Sequence, residues 1–483
     1  MSIKPIAIYS DEDIGSLPVK LADECYRIGP SAPSESYLNI DRIIETSKKA
    51  GADAIHPGYG FLSENEGFAQ RCERENIIFI GPRSRAMELT GDKMKCKALM
   101  KKAKVPTVPG SVGTVGGVQE ALNVAAEAGY PVLLKSAFGG GGRGIRMASN
   151  EGELKQEFEM ASAESTAAFG KSALFVEKYL ENIRHIEFQL LLDSHGNGRH
   201  LFERECSIQR RHQKLVELSP SPVVDAKTRE HVGEIAVRAA KAVDYLNAGT
   251  AEFLRDEQGN FYFIEINSRL QVEHPVTELV TGLDLVKLQI MIAQGEEIDF
   301  GQEDIKMHGA AIECRINAED PFTEFAPSVG PVPDCSLPYG PGIRVDTYLY
   351  PGCTVSGYYD SLIAKLIAWG RNFEEARIRQ REALNEFRVE GITTTIPLYR
   401  TILNEPNFIQ GKLSTDYLER NSIINKMNEA AENEAKRYAD AASAAAWIHS
   451  EFSHDASRYE VHRPSSRQFS GWKGLIVNNR RSK

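Results

Sequence analysis

The sequence has 483 residues and a formal net charge of −10, with 42% hydrophobic and 26% charged residues. That length allows two to four domains, and the acidic balance excludes broad binding to nucleic-acid phosphates, which needs a surplus of cations. No run approaches the ~20 apolar residues of a membrane helix, the start lacks a signal-peptide layout, and seven scattered cysteines form no C-x-x-C pair, so a reducing cytoplasm is expected, without a zinc ribbon, a disulfide scaffold or a membrane partner.

The first 80 residues alternate short apolar runs with helical stretches. Residues 5–9, 52–55 and 77–80 read as strands, with helices over 37–50 and 64–76 between them. This is the pattern of a parallel α/β unit. The run from His56 to Asn65 follows a strand and opens a helix, with Ser63 as a candidate cap. Ligands tend to bind at such a carboxyl end of a parallel sheet; a structural turn is the alternative. Residues 83–104 read as one basic helix, and 105–117 as a connector rich in Pro, Gly, Ser and Thr.

A second unit covers 107–180. Strands are expected at 131–135, 145–148 and 174–178, and a helix at 151–169. Between the first two strands lies a glycine loop, 139–144. Glycines let backbone N–H groups approach phosphate oxygens, although a flexible surface turn is the other reading of a glycine run alone. No G-K-[ST] follows, which excludes a Walker loop, and no helix follows directly, which excludes a dinucleotide fingerprint. Instead the loop joins two strands, with Lys135 at the end of the first; this resembles the hairpin flap that ATP-grasp enzymes close over a triphosphate, a resemblance that implies Lys135 meets phosphate charge from below.

From 180 to about 420 the pattern is mixed α and β. Hairpins are expected over 183–205 and 249–267, with a long periodic helix at 227–245 between them. A turn centred between 258 and 259 sets Glu252 opposite Glu265, and cross-strand Cβ atoms lie roughly 5 Å apart. Two carboxylates at that separation call for a cation, and an oxygen-only set favours magnesium or manganese. Continued strand alternation places Asn267, Arg269, Gln271 and Glu273 on the face of Glu265. The cluster Gln209 to Lys214 falls between two β-rich stretches, where it could face an anion; an exposed charge run is the alternative. Residues 426–447 read as helix, and 449–483 as a polar, finally basic tail.

The runs HPGYGFLSEN, GGGGRG, EKYLEN-x-RH, ERECSIQRRHQK, FIEINSRLQVEHPVTE and YYDSLIAKLI occur in this order over about residues 7–420. Together they resemble the biotin carboxylases, both the stand-alone subunits and the first parts of pyruvate, propionyl-CoA and acetyl-CoA carboxylases. The resemblance implies an α/β architecture in three parts. These are an N-terminal parallel domain over 1–88, an ATP-grasp region with its lid over 107–180, and a mixed C-terminal part over 308–420, the ATP-grasp and C-terminal regions together spanning 89–420. A tail of unknown role, 421–483, follows.

The resemblance also assigns roles. Lys93, Lys135, Gly141, Gly142, Glu177, Lys178, Tyr179, Leu180, His185, Gln209 and His212 match ATP contacts, together with Glu252 and Glu265. Glu252, Glu265 and Asn267 match the magnesium or manganese ligands. Lys214, Arg269, Gln271 and Val272 match the bicarbonate pocket, Glu273 the general base, Arg344 the arginine beside biotin, and Tyr59 the biotin side of the cleft. Cys206 falls inside a motif but reads as a small buried residue, not a nucleophile. The implied reaction uses ATP and bicarbonate to carboxylate biotin through carboxyphosphate.

The sequence departs from the family at its start. The opening strand and its A-N-R-G-E-I-A-type turn are absent, so three outcomes are expected to compete: re-pairing of the remaining strands, an open sheet edge with poor order over 1–35, or a protein that begins upstream of Met1. No A-M-K-M-type biotinylation site occurs, so the biotin is expected on a separate carrier protein, with a separate carboxyltransferase subunit and a homodimeric enzyme. Another ATP-grasp ligase and a non-catalytic regulator are the competing readings. The final carboxyl acceptor is left open.

Overall fold

The computed structural model describes residues 1–136, 145–169 and 174–456. The glycine loop, with Gly141 and Gly142, and the last 27 residues of the expected tail, 457–483, lie outside the described residues. One compact unit runs from Met1 to Ile424, and a second begins at Asn425.

The N-terminal region holds two parallel strand pairs. β1 (Ile6–Ser10) pairs with β2 (Glu24–Gly29). β3 (Ala54–Ile55) pairs with β4 (Ile78–Phe79). The two pairs are not hydrogen-bonded to each other, so the remaining strands do not re-pair into one sheet. β2 escaped the sequence reading because its half-buried E-C-Y-R-I-G pattern carries two charges. Helix α1 (Ile40–Ala50) starts three residues later than expected, because the Asn39 side chain accepts from the Arg42 amide and fixes the cap there. α2 spans Glu66–Arg74, capped by Asn65 rather than by Ser63. Ile28, Ile43, Ile44, Leu62, Phe68, Cys72 and Ile77 form the core of this region.

The single helix expected over 83–104 is two helices, α3 (Ser84–Gly91) and α4 (Lys93–Lys102). Asp92 divides them: its carboxylate accepts from the Met94 and Lys95 amides and starts a new N-terminus. The next unit packs α5 (Val118–Ala128) and α6 (Glu151–Phe169) on an antiparallel sheet. That sheet consists of β5 (Val132–Ser136), flanked by β6 (Ile145–Ala148) and β7 (Leu174–Lys178).

The main sheet has eight strands, every neighbouring pair antiparallel. They are β8 (Arg184–Leu192), β9 (Gly198–Arg210), β10 (Gln213–Ser219), β11 (Asn247–Arg255), β12 (Phe261–Asn267) and β13 (Ala310–Asn317), then β14 (Ile343–Thr347) and β15 (Leu362–Gly370). Their spatial order is β12-β11-β8-β9-β10-β13-β15-β14. The β10–β13 pairing joins the ATP-grasp strands directly to the C-terminal part, so the sheet has no break at residue 308.

Strand β8 shows how the sheet serves two purposes. Ile186, Phe188, Leu190 and Leu192 join the apolar core beneath α7 (Ala226–Ala242). His185, Glu187 and Gln189 alternate with them, equally buried but facing the other way. That second face is covered by α8 (His274–Thr281), which packs on β9, β10, β13 and β15. The described residues of the second unit, 425–456, belong to a long helix, α9 (Ile423–Ala456), longer than the expected 426–447.

Candidate active site

The α8 face of the sheet carries a charged row. Register places Glu265 opposite Glu252, Glu252 opposite Glu187, and Glu187 opposite Arg204. Further across, Arg315 lies opposite Lys365, and Lys365 opposite Asp346. A register shift between Lys214 and Val216 breaks the alternation of β10. It lets Lys214 and Glu217, three residues apart, reach the same cluster.

Lys214 is the hub. Its ammonium donates to Glu187 at 2.5 Å, to Glu273 at 2.7 Å and to Glu252 at 2.8 Å. Burial opposes its charge, but the three carboxylates outweigh burial and hold its pKa well above the ordinary value. Arg204, fully buried, donates to Glu187 at 2.6 Å, to Gln189 at 2.7 Å, to Thr250 at 3.0 Å and to Thr277 at 3.1 Å. Arg315 donates through Nε to Glu217 at 2.6 Å and through Nη2 to Glu273 at 2.8 Å. Burial would raise the Glu273 carboxyl, yet Lys214, Arg315 and Arg204 outweigh burial and keep it ionised far below the usual range.

Glu252 accepts from Lys214 and from Asn267 at 2.8 Å, and its other oxygen lies 3.0 Å from His185 Nε2. Burial would raise this carboxyl too, but Lys214 and His185 hold it low. Glu265 is different. Burial and the facing Glu252 raise it, and among the described residues nothing donates to it. A carboxylate without a donor facing a second carboxylate offers only oxygens, which fits a hard divalent cation, and the Asn267 side chain, whose nitrogen donates to Glu252, carries a further oxygen. Glu252, Glu265 and Asn267 therefore suit magnesium. Lys214 already lies between Glu187 and Glu252 and neutralises that pair itself.

The remaining expected residues fall around this cluster. The chain leaves the strand after Asn267, so the extended face expected through Glu273 is corrected. Gln271 still reaches Glu252 at 3.5 Å, Arg269 donates to the Gln271 side chain at 3.0 Å, and Glu273 stands at the head of α8. Arg269 also pairs with Glu64 at 3.3 Å, which ties the HPGYGFLSEN loop to the site. Gln209 donates to His185 Nδ1 at 2.6 Å. His212 and Arg211 form a two-residue hairpin turn, both with positive φ and both exposed. Lys93 is exposed at the first position of α4, close enough to Glu265 to lower its pKa.

On the lid side, Glu177 accepts from Lys135 at 2.6 Å and from Lys97 at 2.9 Å. Lys178 points elsewhere: its ammonium donates to the Gly129 and Tyr130 carbonyls at 2.9 and 2.7 Å. Half-buried Tyr179 and Leu180 follow β7, and the Tyr179 amide donates to the Pro131 carbonyl. Cys206 is fully buried and its thiol is pushed well up by burial, in keeping with a packing role.

Arg344 does not touch Glu273. It donates to Glu278 at 2.6 Å and, through two nitrogens, to Asp346 at 2.8 and 2.9 Å. Asp346 in turn pairs with Lys365, which donates to the Val272 carbonyl at 3.0 Å and lies 5.5 Å from the Tyr59 ring centroid. The arginine that reaches Glu273 is Arg315, which the sequence reading missed. So were Lys97, Glu187, Arg204 and Glu217. A signal existed: Glu313 and Arg315 are charged residues two apart in the buried strand A-A-I-E-C-R-I-N, apolar elsewhere up to its final Asn317.

Three family descriptions match in chain order: the biotin carboxylase N-terminal domain over residues 1–87, the carbamoyl-phosphate synthase L chain ATP-binding domain over 92–300, and the biotin carboxylase C-terminal domain over 313–420. The chain belongs to the biotin carboxylase family. Among similar proteins, the 2-oxoglutarate carboxylase small subunit of Hydrogenobacter thermophilus is 52% identical over 424 residues, covering 88% of this chain and 90% of the relative. Biotin carboxylase 1 of Bacillus subtilis is 49% identical over 425 residues, covering 88% and 94%. The crystal structure of the Hydrogenobacter thermophilus biotin carboxylase domain dimer, in complex with MgADP, ADP and bicarbonate, matches with a TM-score of 0.80 at 52% identity, covering 87% of this chain and 92% of that one. This biotin carboxylase thus has the expected ATP-grasp fold, and among its described residues no helix is long and apolar enough to cross a membrane.

Proposed function

We propose that this biotin carboxylase activates bicarbonate with ATP at the Lys214–Glu273 cluster and transfers the carboxyl group to a biotin held near Tyr59. The observation that carries this is the shared engagement of Glu273 by Lys214 and Arg315. An ionised, fully buried carboxylate between two cations is a base waiting for an anionic partner. An arriving bicarbonate draws Lys214 toward itself, with Arg269, Gln271 and the Val272 backbone around it. Glu273 then loses part of its cationic support and becomes a stronger base. It takes the bicarbonate proton, and the freed oxygen attacks the γ-phosphorus of ATP, releasing ADP and forming carboxyphosphate. That species breaks to CO₂ and phosphate, the phosphate takes the biotin N1′ proton, and the nitrogen attacks CO₂.

Lys93, Lys135, Glu177, Lys178, Tyr179, Leu180, His185, Gln209 and His212 surround the nucleotide in this reading, with Gly141 and Gly142 over the phosphates. Lys178 contributes through its backbone, since its ammonium is engaged by two carbonyls. Glu252, Glu265 and Asn267 would hold magnesium or manganese, which when bound neutralises phosphate charge. We assign the arginine facing the biotin ureido oxygen to Arg315, one hydrogen bond from the base. Arg344 is one carboxylate removed and orients Asp346 and Lys365.

The biotin is placed on a separate carrier protein that meets a carboxyltransferase subunit, and the enzyme is a homodimer. Relatives named as a small subunit and solved as a dimer support this arrangement. Seven free cysteines support a cytoplasmic setting. The purified chain is expected to hydrolyse ATP slowly with bicarbonate and severalfold faster once free biotin is added, measured by coupled ADP release. A rate indifferent to biotin would favour an ATP-grasp ligase acting on another carboxylate.

A further inference from the structure

Behind Arg315 lies a pair of carboxyls that the reaction above does not use. Glu217 on β10 and Glu313 on β13 are directly opposite in the antiparallel register, and both are fully buried beneath α8. Facing residues of this kind have Cβ atoms roughly 5 Å apart. One Glu217 oxygen accepts from Arg315 Nε. Its other oxygen, and both oxygens of Glu313, have no hydrogen-bond partner among the described residues. Two buried carboxylates with three unsatisfied oxygens cannot both stay ionised, because the repulsion and the desolvation of each charge add. A proton on one of them removes the repulsion and the desolvation of that charge, and Arg315 compensates the charge that is left.

From this geometry we infer that Glu313 is held as a neutral acid donating to Glu217, and that Glu217 is a positioning residue that aims and electrically tunes Arg315 against Glu273. The inference rests on the reading of Glu273 as the base. Its logic is one shared guanidinium: Nε belongs to Glu217 and Nη2 to Glu273. When Glu217 is ionised, Arg315 divides its charge between two carboxylates, and Glu273 keeps more of its proton affinity. When Glu217 is neutral, the whole charge of Arg315 falls on Glu273 and weakens it as a base.

The groups that bear on the pair are Arg315 and Cys314 from β13, Lys365 from β15, Glu273 at the head of α8, Lys214 from β10 itself, Cys206 from β9, and Tyr399, which follows in the C-terminal part. Burial is the first cause in both carboxyls. It raises Glu217 to about 7 against the opposing Arg315, and raises Glu313 well above the ordinary range. As pH rises past 7, Glu217 loses its proton while Glu313 keeps its own, so Glu273 becomes more basic with rising pH.

Two measurements on the full chain test this. At fixed bicarbonate concentration, kcat/KM for bicarbonate in the wild type is expected to rise through an inflection near pH 7. Glu217→Gln keeps the acceptor for Arg315 but cannot ionise, so it is expected to lose that inflection and to fall about 10-fold below wild type above it. A purely structural role would lower the rate equally at every pH, and that result overturns the inference. Independently of activity, the infrared spectrum of the wild type is expected to keep the carbonyl band of a protonated carboxyl at about pH 9, where ordinary carboxyls are ionised. Glu313→Gln is expected to lose it. If the wild type has no such band, or the variant retains it, Glu313 is not the proton holder. The band does not depend on what Glu273 does, so its presence without a normal reaction would fault the base assignment and leave the carboxyl pair standing.

Discussion

Replacing Glu273 by glutamine is expected to lower bicarbonate-dependent ATP hydrolysis and carboxybiotin formation together, by at least about 100-fold, or ~2.7 kcal/mol of barrier. The substitution keeps the size of the side chain and one acceptor oxygen, enough for either Lys214 or Arg315 but not for both, and removes the group that takes the bicarbonate proton. Without that step no oxyanion attacks ATP, so neither half of the reaction proceeds. The loss should be accompanied by little change in nucleotide affinity, because Glu273 contacts Lys214 and Arg315 rather than the lid-side lysines. Both rates and the ATP dissociation constant can be measured on one preparation. Turnover within a few-fold of wild type, or a variant that hydrolyses ATP normally yet makes no carboxybiotin, would remove Glu273 from the role of base.

The second large effect separates two arginines. Arg315→Gln is expected to depress biotin carboxylation by about 100-fold, and by more than it depresses biotin-independent ATP hydrolysis. Arg344→Gln is expected to cost about 10-fold or less in either assay. The difference follows from where the guanidinium groups are. Arg315 touches the base and faces the reaction cluster, whereas Arg344 is paired with Glu278 and Asp346. Removing Arg315 also leaves Glu217 and Glu273 buried with less compensation, and breaking a buried pair from one side typically costs about 3–5 kcal/mol of stability. Thermal unfolding must therefore accompany the assay. Arg315→Lys supplies a control: it keeps the charge but not the fork that spans two carboxylates, so partial stability with poor carboxylation is expected. Greater damage from Arg344→Gln than from Arg315→Gln in the carboxylation assay would reverse the assignment.

The sheet hairpins were legible in the sequence because alternation and turn residues coincide there. Glu252 and Glu265 face each other as read, and the pairing survives a register shift just inside the hairpin. The lid strands and the long helix α7 were legible for the same reason. Three kinds of feature were not. Asp92 follows Gly91 inside a basic helical run, and it is the cap geometry that turns this Gly-Asp step into a break. The turn of chain after Asn267 follows from Glu273 heading α8, which a strand pattern does not announce. Glu217 lies just past the QRRHQK run, but its partner Arg315 is nearly 100 residues further on, and the two come together beside Glu273 only because β10 and β13 pair. Arg344 was read as the biotin arginine from its motif alone. Its partners Glu278 and Asp346 could not be seen without the β14–β15 register and the position of α8.

The most direct test of the proposed reaction follows the carboxyl carbon. The purified chain is incubated with magnesium, ATP, free biotin and isotopically labelled bicarbonate, and the acid-labile label bound to biotin is compared with the ADP formed. Labelled carboxybiotin that depends on both ATP and biotin, never exceeds ADP, and disappears in Glu273→Gln is the expected result. ADP formation stimulated by biotin with no label on biotin, or label appearing on biotin without ATP, would contradict it.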